Sequence, residues 1–267
     1  MAEVNIFLAG WVALTVVMAL LWLVQYATRN AGIVDVAWAF GTGILGVWFA
    51  LHGSSGDSAR GVIIAFLVGV WSIRLGVHLA SRVFRESEDG RYRYLRGVLG
   101  GWTQPVMFLF FQVQALWGLM FALPMWAAAQ STSHTIAWHD WMGIGVWLVA
   151  FVGEVVSDRQ LDRFRRDPDN KGRVCQVGLW RYSRHPNYFF EWLHWWAYVL
   201  IGLGSPWWWV TIAGVAVMYV FLTRVTGIPY TEQQAIRSRG DAYRRYQETT
   251  SVFFPFIPSK TKEEQPT

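Results

Sequence analysis

Charge is what this chain has least of. Asp, Glu, Lys and Arg make up 15% of its 267 residues, where soluble domains carry about 25%. That shortage excludes an ordinary water-soluble globule and marks an integral membrane protein. Cysteine occurs once, at Cys175, so there is no internal disulfide framework and no cysteine set for zinc. The chain contains no N-x-S/T sequon. No basic stretch precedes the apolar run at residues 4–26, which therefore reads as a retained first helix rather than a cleaved signal. No soluble segment exists to carry a basic face, and the basic loops also hold acids, so no nucleic-acid partner is expected. A G-x-S-x-G nucleophile motif is missing. His185, Glu191 and His194 are not in H-E-x-x-H order, and no metal is expected.

Apolar residues dominate what is present. The hydrophobic fraction is 54%, with 18 Trp and 10 Tyr, which suits aromatic belts at both membrane interfaces. A bilayer-spanning helix needs about 20 apolar residues. Seven candidate spans fit, near 4–26, 33–52, 61–81, 104–128, 138–157, 188–204 and 206–223. The last two are divided at Gly204-Ser205-Pro206, a turn signal. The fifth begins on polar residues, His139 and Asp140, and the sixth is short. Segments 82–102, 158–187 and 224–267 hold 5, 8 and 7 of the 23 Lys and Arg residues. Seven spans put all three on one side with Arg29, and leave Arg60 opposite. The positive-inside rule then predicts an outside N-terminus and a cytoplasmic C-terminus. The expected fold class is all-α integral membrane, a bundle of about seven transmembrane helices in a bacterial inner membrane. No internal repeat is visible. Residues 1–258 read as a single transmembrane domain and 259–267, SKTKEEQPT, as a short disordered tail.

Ionisable groups within spans are costly in lipid and mark sites. Asp35 lies at the start of the second span. Arg74 and His78 sit one turn apart on the third and share a face. Gln112 and Gln114 are in the fourth, and Glu154 and Asp158 end the fifth. Asn187, Glu191, His194 and Tyr198 form one helical stripe on the sixth. The plain alternative is packing, with Asp35 paired to Arg74 and Glu191 to another helix. The groups taken together, beside three basic segments, point to a polar cavity open to the cytoplasm. Gly41-Thr-Gly-Ile-Leu-Gly46 matches G-x-G-x-x-G literally, but no strand precedes it and no acid follows about 20 residues on. Its glycines suit close helix packing instead.

The most informative stretch is GLWRYSRHPNYFFE, residues 178–191. Arg181, Tyr182, Arg184, His185 and Asn187 stand at the mouth of an apolar helix that carries Glu191 and His194. Cations and hydrogen-bond donors there suit an anionic ligand, a phosphate or carboxylate. A topogenic basic loop with interfacial tyrosines is the bland reading.

This stretch, preceded by SDRQLDRFRRDPDNKGRVCQVG, resembles the C-terminal half of the steroid 5α-reductase family, and most closely its bacterial branch, domain of unknown function 1295. NAGIVDVAWAFG, WSIRLGVHLASR, EDGRYRYLR and the ending GDAYRRYQETTSVFFPFIP resemble that branch as well. The resemblance runs from about residue 30 to 258 and is most specific over 158–258, the cofactor half. It implies seven transmembrane helices, NADPH entering from the cytoplasmic side, and hydride transfer to an activated C=C bond of a lipid drawn from the bilayer. Asp158 and Arg165 match an acid and a base that the family places on the cofactor. Arg173 matches a basic loop residue. Tyr182, Asn187, Glu191 and Tyr246 match the family's tyrosine, asparagine, glutamate and C-terminal tyrosine. Arg82 and Arg85 fall where the family has polar and basic groups after the third helix. Arg184 and His185 complete the expected cofactor set. Several Arg donors suit a pyrophosphate and a 2′-phosphate.

The substrate half departs from the family. Steroid 5α-reductases carry a glutamate in the second helix and a tyrosine in the third. Here Asp35 stands in the second, and Trp71, Arg74 and His78 occupy the third. Asp35, Arg74 and His78 are therefore the catalytic candidates, and a lipid other than a steroid enone is expected. A rival resemblance is to isoprenylcysteine and phospholipid methyltransferases. They share an RHPxY-like motif, bind S-adenosylmethionine and usually show a Glu-Glu pair where this chain has Glu232-Gln233. A lipid-binding protein without catalysis is the third reading. Oligomeric state is not legible.

Overall fold

The structure is a computed structural model, and it describes residues 2–52, 59–85, 88–131 and 135–259. Among them the chain is helical and contains no strand. Ten α-helices follow in order: α1 Ala2–Thr28, α2 Ile33–His52, α3 Ala59–Arg85, α4 Gly90–Leu99, α5 Thr103–Ala129, α6 Trp138–Arg166, α7 Pro186–Ile201, α8 Trp208–Val220, α9 Gly227–Arg239 and α10 Asp241–Thr249. Helix satisfies every backbone donor and acceptor within its own segment, which lipid demands. Among the described residues, six helices are long and apolar enough to cross a membrane. The expected fold class therefore holds, with one of the seven sequence spans falling short. That span is α7, whose 16 residues rise only about 24 Å against a hydrocarbon core of about 30 Å.

The chain forms two compact units, residues 1–141 with 198–214, and residues 142–197 with 215–267. In the first, α1, α2, α4 and α5 enclose a core that includes Leu14, Met18, Leu45, Phe49, Phe111 and Trp126. The Gly41–Gly46 run serves helix packing. A Cβ on Gly41 would come 2.6 Å from Leu14 Cδ1, one on Gly46 3.1 Å from Val68 Cγ2, and one on Gly43 would overlap the Ser72 side chain. Glycine lets the α2 and α3 backbones approach, the usual route to tight association in lipid. Ser72 Oγ then donates to Ala39 O at 2.9 Å.

Arg60, expected alone on its side of the membrane, has a buried partner. Its Nε and Nη2 donate to the two carboxylate oxygens of Asp140, each at 2.8 Å, with both side chains almost fully enclosed. Ala137 N also donates to Asp140 Oδ2 at 2.8 Å. This fork ties the start of α3 to the start of α6.

In the second unit, α8 passes through a π-turn at Phe221–Val225 into α9. Gly240, at φ +53°, reverses the chain between α9 and α10 in a left-handed conformation that glycine adopts without steric cost. Tyr243 and Tyr246 of α10 pack under α9 beside Ala235. Ser259 N donates to Thr249 O at 2.9 Å, and the rest of the expected tail, 260–267, lies outside the described residues.

Candidate functional site

The loop between α6 and α7 is built on its two flanks. Gly178 opens it at φ +58°, so close to the Gln160 side chain that a Cβ would collide. Leu179 N donates to Gln160 Oε1 at 2.8 Å, and Trp180 Nε1 donates to Ser157 O at 2.9 Å. Both bonds fasten the loop to the last turns of α6. The other flank is the C-terminal segment. Arg184 N donates to Ser251 O at 2.8 Å, Phe256 N to Tyr182 O at 3.0 Å, and Ser183 Oγ to Phe253 O at 2.9 Å. Tyr246 Oη donates to the carbonyls of Trp180 and Ser183. Burial first, and then the neighbouring Tyr243, push the Tyr246 phenol up from its usual range, so it stays a donor.

Arg184 and His185 turn inward. Arg184 Nε donates to Glu232 Oε1 at 2.6 Å, and Arg184 Nη1 donates to Gln247 O at 3.1 Å. His185 Nε2 lies 3.3 Å from the same Glu232 oxygen, and its ring stacks on Tyr188 at 5.5 Å. Burial pushes the His185 imidazole below its ordinary value, against the opposite pull of Glu232. It is therefore neutral near pH 7 and donates from Nε2. Arg184, His185 and Tyr246, all expected on the cofactor, here hold the loop in shape.

The other expected cofactor groups range from exposed to buried. Tyr182 is exposed, as are Arg165 at the end of α6 and Arg173 in the loop. Asn187, in the first turn of α7, donates from Nδ2 to Asp158 Oδ1 of α6 at 3.4 Å. Asn187 Oδ1 is buried with no hydrogen-bond donor. Buried polar atoms are nearly always satisfied, so this oxygen fits a ligand that brings an N–H or O–H. Glu191 follows one turn later and is buried. Asp158, Arg165, Arg173, Tyr182, Asn187 and Glu191 all belong to the second unit.

Asp35, Arg74, His78, Arg82 and Arg85 belong to the first. Asp35 finds its cation on α4. Arg91 Nη2 donates to Asp35 Oδ2 at 2.9 Å, and Tyr92 Oη donates to Oδ1 at 2.9 Å. Asp89 caps α4 by accepting from Arg91 N at 2.9 Å and also takes Arg91 Nε at 3.1 Å. Burial works to raise the Asp89 carboxyl, but Arg91 and then Arg82 hold it below the usual carboxylate range. Asp35, Arg82, Asp89 and Arg91 line a cleft of about 40 Å³ with Asn30 and Leu79. Arg82 is half-exposed and 3.9 Å from Asp89, and Arg85 is exposed. Arg74 and His78 are part-buried on α3. Beside the cleft, Glu88 accepts from Arg96 at 3.1 Å and from Ala31 N at 2.9 Å, and Arg96 reaches Gln25 at 2.7 Å.

The sequence reading did not name Arg91, Tyr92, Glu88 or Arg96 as site residues. They lie in the EDGRYRYLR stretch, whose density of charge beside an apolar span was the available signal.

The helices and these polar clusters define a polytopic α-helical membrane protein with ionisable groups organised at helix ends. The chain belongs to the family described as "Protein of unknown function (DUF1295)", which matches residues 21–250. It is 30% identical over 288 aligned positions to "Uncharacterized protein C594.04c" of Schizosaccharomyces pombe, across 94% of this chain and 80% of that one. It is also 30% identical over 95 positions to "Uncharacterized protein C9.08c" of the same yeast, across 29% of this chain and 34% of the relative. No solved structure matches it.

Proposed function

We propose that this protein is a membrane-embedded, NADPH-dependent reductase that acts on an activated C=C bond of a lipid. Asn187 carries the reading. Its amide nitrogen is engaged by Asp158, and its buried oxygen lacks a donor. An amide held this way suits a carboxamide or a ribose hydroxyl. Glu191 offers a second acceptor one turn on. Arg165 and Arg173, both exposed, have the fork geometry that matches phosphate oxygens, and a 2′-phosphate would engage the surplus.

Bound NADPH supplies a hydride, and the chain's own groups must then stabilise the charge that develops on the substrate. We assign that role to Arg74 and His78, with a protonated Asp35 as a further hydrogen-bond donor. Arg91 and Tyr92 hold the Asp35 carboxyl group in place. His78 can supply the proton that follows the hydride. The three basic segments support a cytoplasmic cofactor face and C-terminus with the N-terminus outside, and on this reading α7 together with residues 202–204 makes the seventh crossing.

The test is the nucleotide that copurifies with the protein in mild detergent. NADP(H) in the eluate, identified by fluorescence and mass spectrometry, supports the reductase. S-adenosylmethionine in its place reverses the reading to methyl transfer. Failure of either nucleotide to bind on addition leaves a lipid-binding protein.

A further inference from the structure

We infer that Glu232 is the positioning residue of the nucleotide loop, acting through Arg184 and His185 to hold Tyr182 and Asn187 where the cofactor meets them. The inference rests on the nucleotide-binding reading above.

Glu232 lies on α9, 48 positions from Arg184. Its Oε1 accepts from Arg184 Nε at 2.6 Å, His185 Nε2 at 3.3 Å and Tyr243 Oη at 3.3 Å, and its Oε2 accepts from Gln247 Nε2 at 2.7 Å. Only an ionised carboxylate has acceptor sites for all of these on both of its ends. A glutamine would turn an NH₂ toward donors. The cluster is largely closed to water, with Arg184 at 9%, His185 at 2% and Glu232 at 15% exposure. Hydrogen bonds to a charge are stronger in such surroundings than in water.

The geometry shows what the cluster fixes. Arg184 is anchored through its backbone to Ser251, through Nη1 to the end of α10, and through Nε to α9. His185 N donates to Ser183 Oγ at 3.1 Å, and Pro186 then begins α7. Asn187 thus follows a backbone segment that Glu232 pins from one side and the C-terminal segment pins from the other. A small rotation of that segment swings the Asn187 head away from Asp158. The carboxylate is surrounded by this chain's own donors, so its effect on a nucleotide passes through the loop and not through contact.

The experiment is a fluorescence titration of detergent-purified protein with NADPH. Folding is followed by thermal denaturation. Glu232→Gln keeps the side-chain shape and is expected to weaken NADPH binding by about tenfold or more. Tyr243→Phe with Gln247→Leu removes the two donors that α10 supplies, leaves the Arg184 pair intact, and is expected to give a smaller loss of affinity. Asp140→Asn, in the first unit, is the stability control, with a lower melting temperature and unchanged NADPH affinity. Wild-type affinity in Glu232→Gln overturns the inference alone. Should that variant not fold, wild-type affinity in Tyr243→Phe/Gln247→Leu overturns it. Equal loss of affinity in Asp140→Asn reduces Glu232 to a general stabiliser and also overturns it. If the wild-type protein binds no NADPH, the nucleotide reading itself falls, and this inference with it.

Discussion

Asn187 and Asp158 meet at 3.4 Å, the first turn of α7 against the end of α6, and leave Asn187 Oδ1 buried without a donor. The proposed nucleotide would give that oxygen a partner. Asn187→Ala is therefore expected to weaken NADPH binding about tenfold or more, near the value of a hydrogen bond to a buried polar group. Glu191→Gln should also lose affinity, while both variants elute as folded protein. Calorimetric titration beside size-exclusion chromatography checks this. Aggregation of either variant would instead mark the stripe on α7 as packing.

The Arg60–Asp140 fork predicts a stability effect with no catalytic one. Asp140→Asn leaves Arg60 as an uncompensated buried charge and should cost about 3–5 kcal/mol. Arg60→Met combined with Asp140→Leu removes both charges and should recover most of that loss. Denaturation in detergent, with both variants run beside wild type, reads the difference.

For the substrate end, Asp35→Asn with Arg74→Met is expected to abolish NADPH oxidation in membranes containing the native lipid. NADPH affinity should stay at the wild-type level. Tyr92→Phe removes the donor to Asp35 Oδ1 and should lower turnover less than the double variant. Full turnover in the double variant would show that neither Asp35 nor Arg74 is catalytic.

His185 gives a pH dependence. Its folded pKa lies below the ordinary value because burial outweighs the opposite pull of Glu232. The unfolded chain takes up this proton near pH 6.5 and the folded chain resists it, so stability is level above about 6.5 and falls as pH drops below it. The melting temperature should fall between pH 7 and pH 5, and His185→Gln should flatten that part of the curve.

The long spans were legible because lipid imposes a simple rule, a run of apolar residues and an internal hydrogen-bond ladder. α7 is legible as a span, but its regular helix stops at Ile201, before the turn at 202–204, and is shorter than the six long apolar helices. The helices α9 and α10 gave no such signal, because their residues are mostly polar and few apolar ones turn inward, among them Ile228, Ala235, Tyr243 and Tyr246. The candidate residues from 182 to 191 stand out because they are contiguous in the sequence. The partners that decide their roles do not. Glu232 lies 48 positions from Arg184, and Arg91 lies 56 from Asp35. Pairings over such distances arise from helix packing and leave no local pattern. Asp35 therefore pairs with an arginine of α4, and the Asp35–Arg74 pair that was the plain packing alternative gives way to it.

The central claim is nucleotide choice, and a thermal-shift titration of the wild-type protein with NADPH, NADH and S-adenosylmethionine tests it most directly. The account predicts a saturable rise in melting temperature with NADPH, a weaker one with NADH, and none with S-adenosylmethionine. A rise with S-adenosylmethionine and none with NADPH would contradict it.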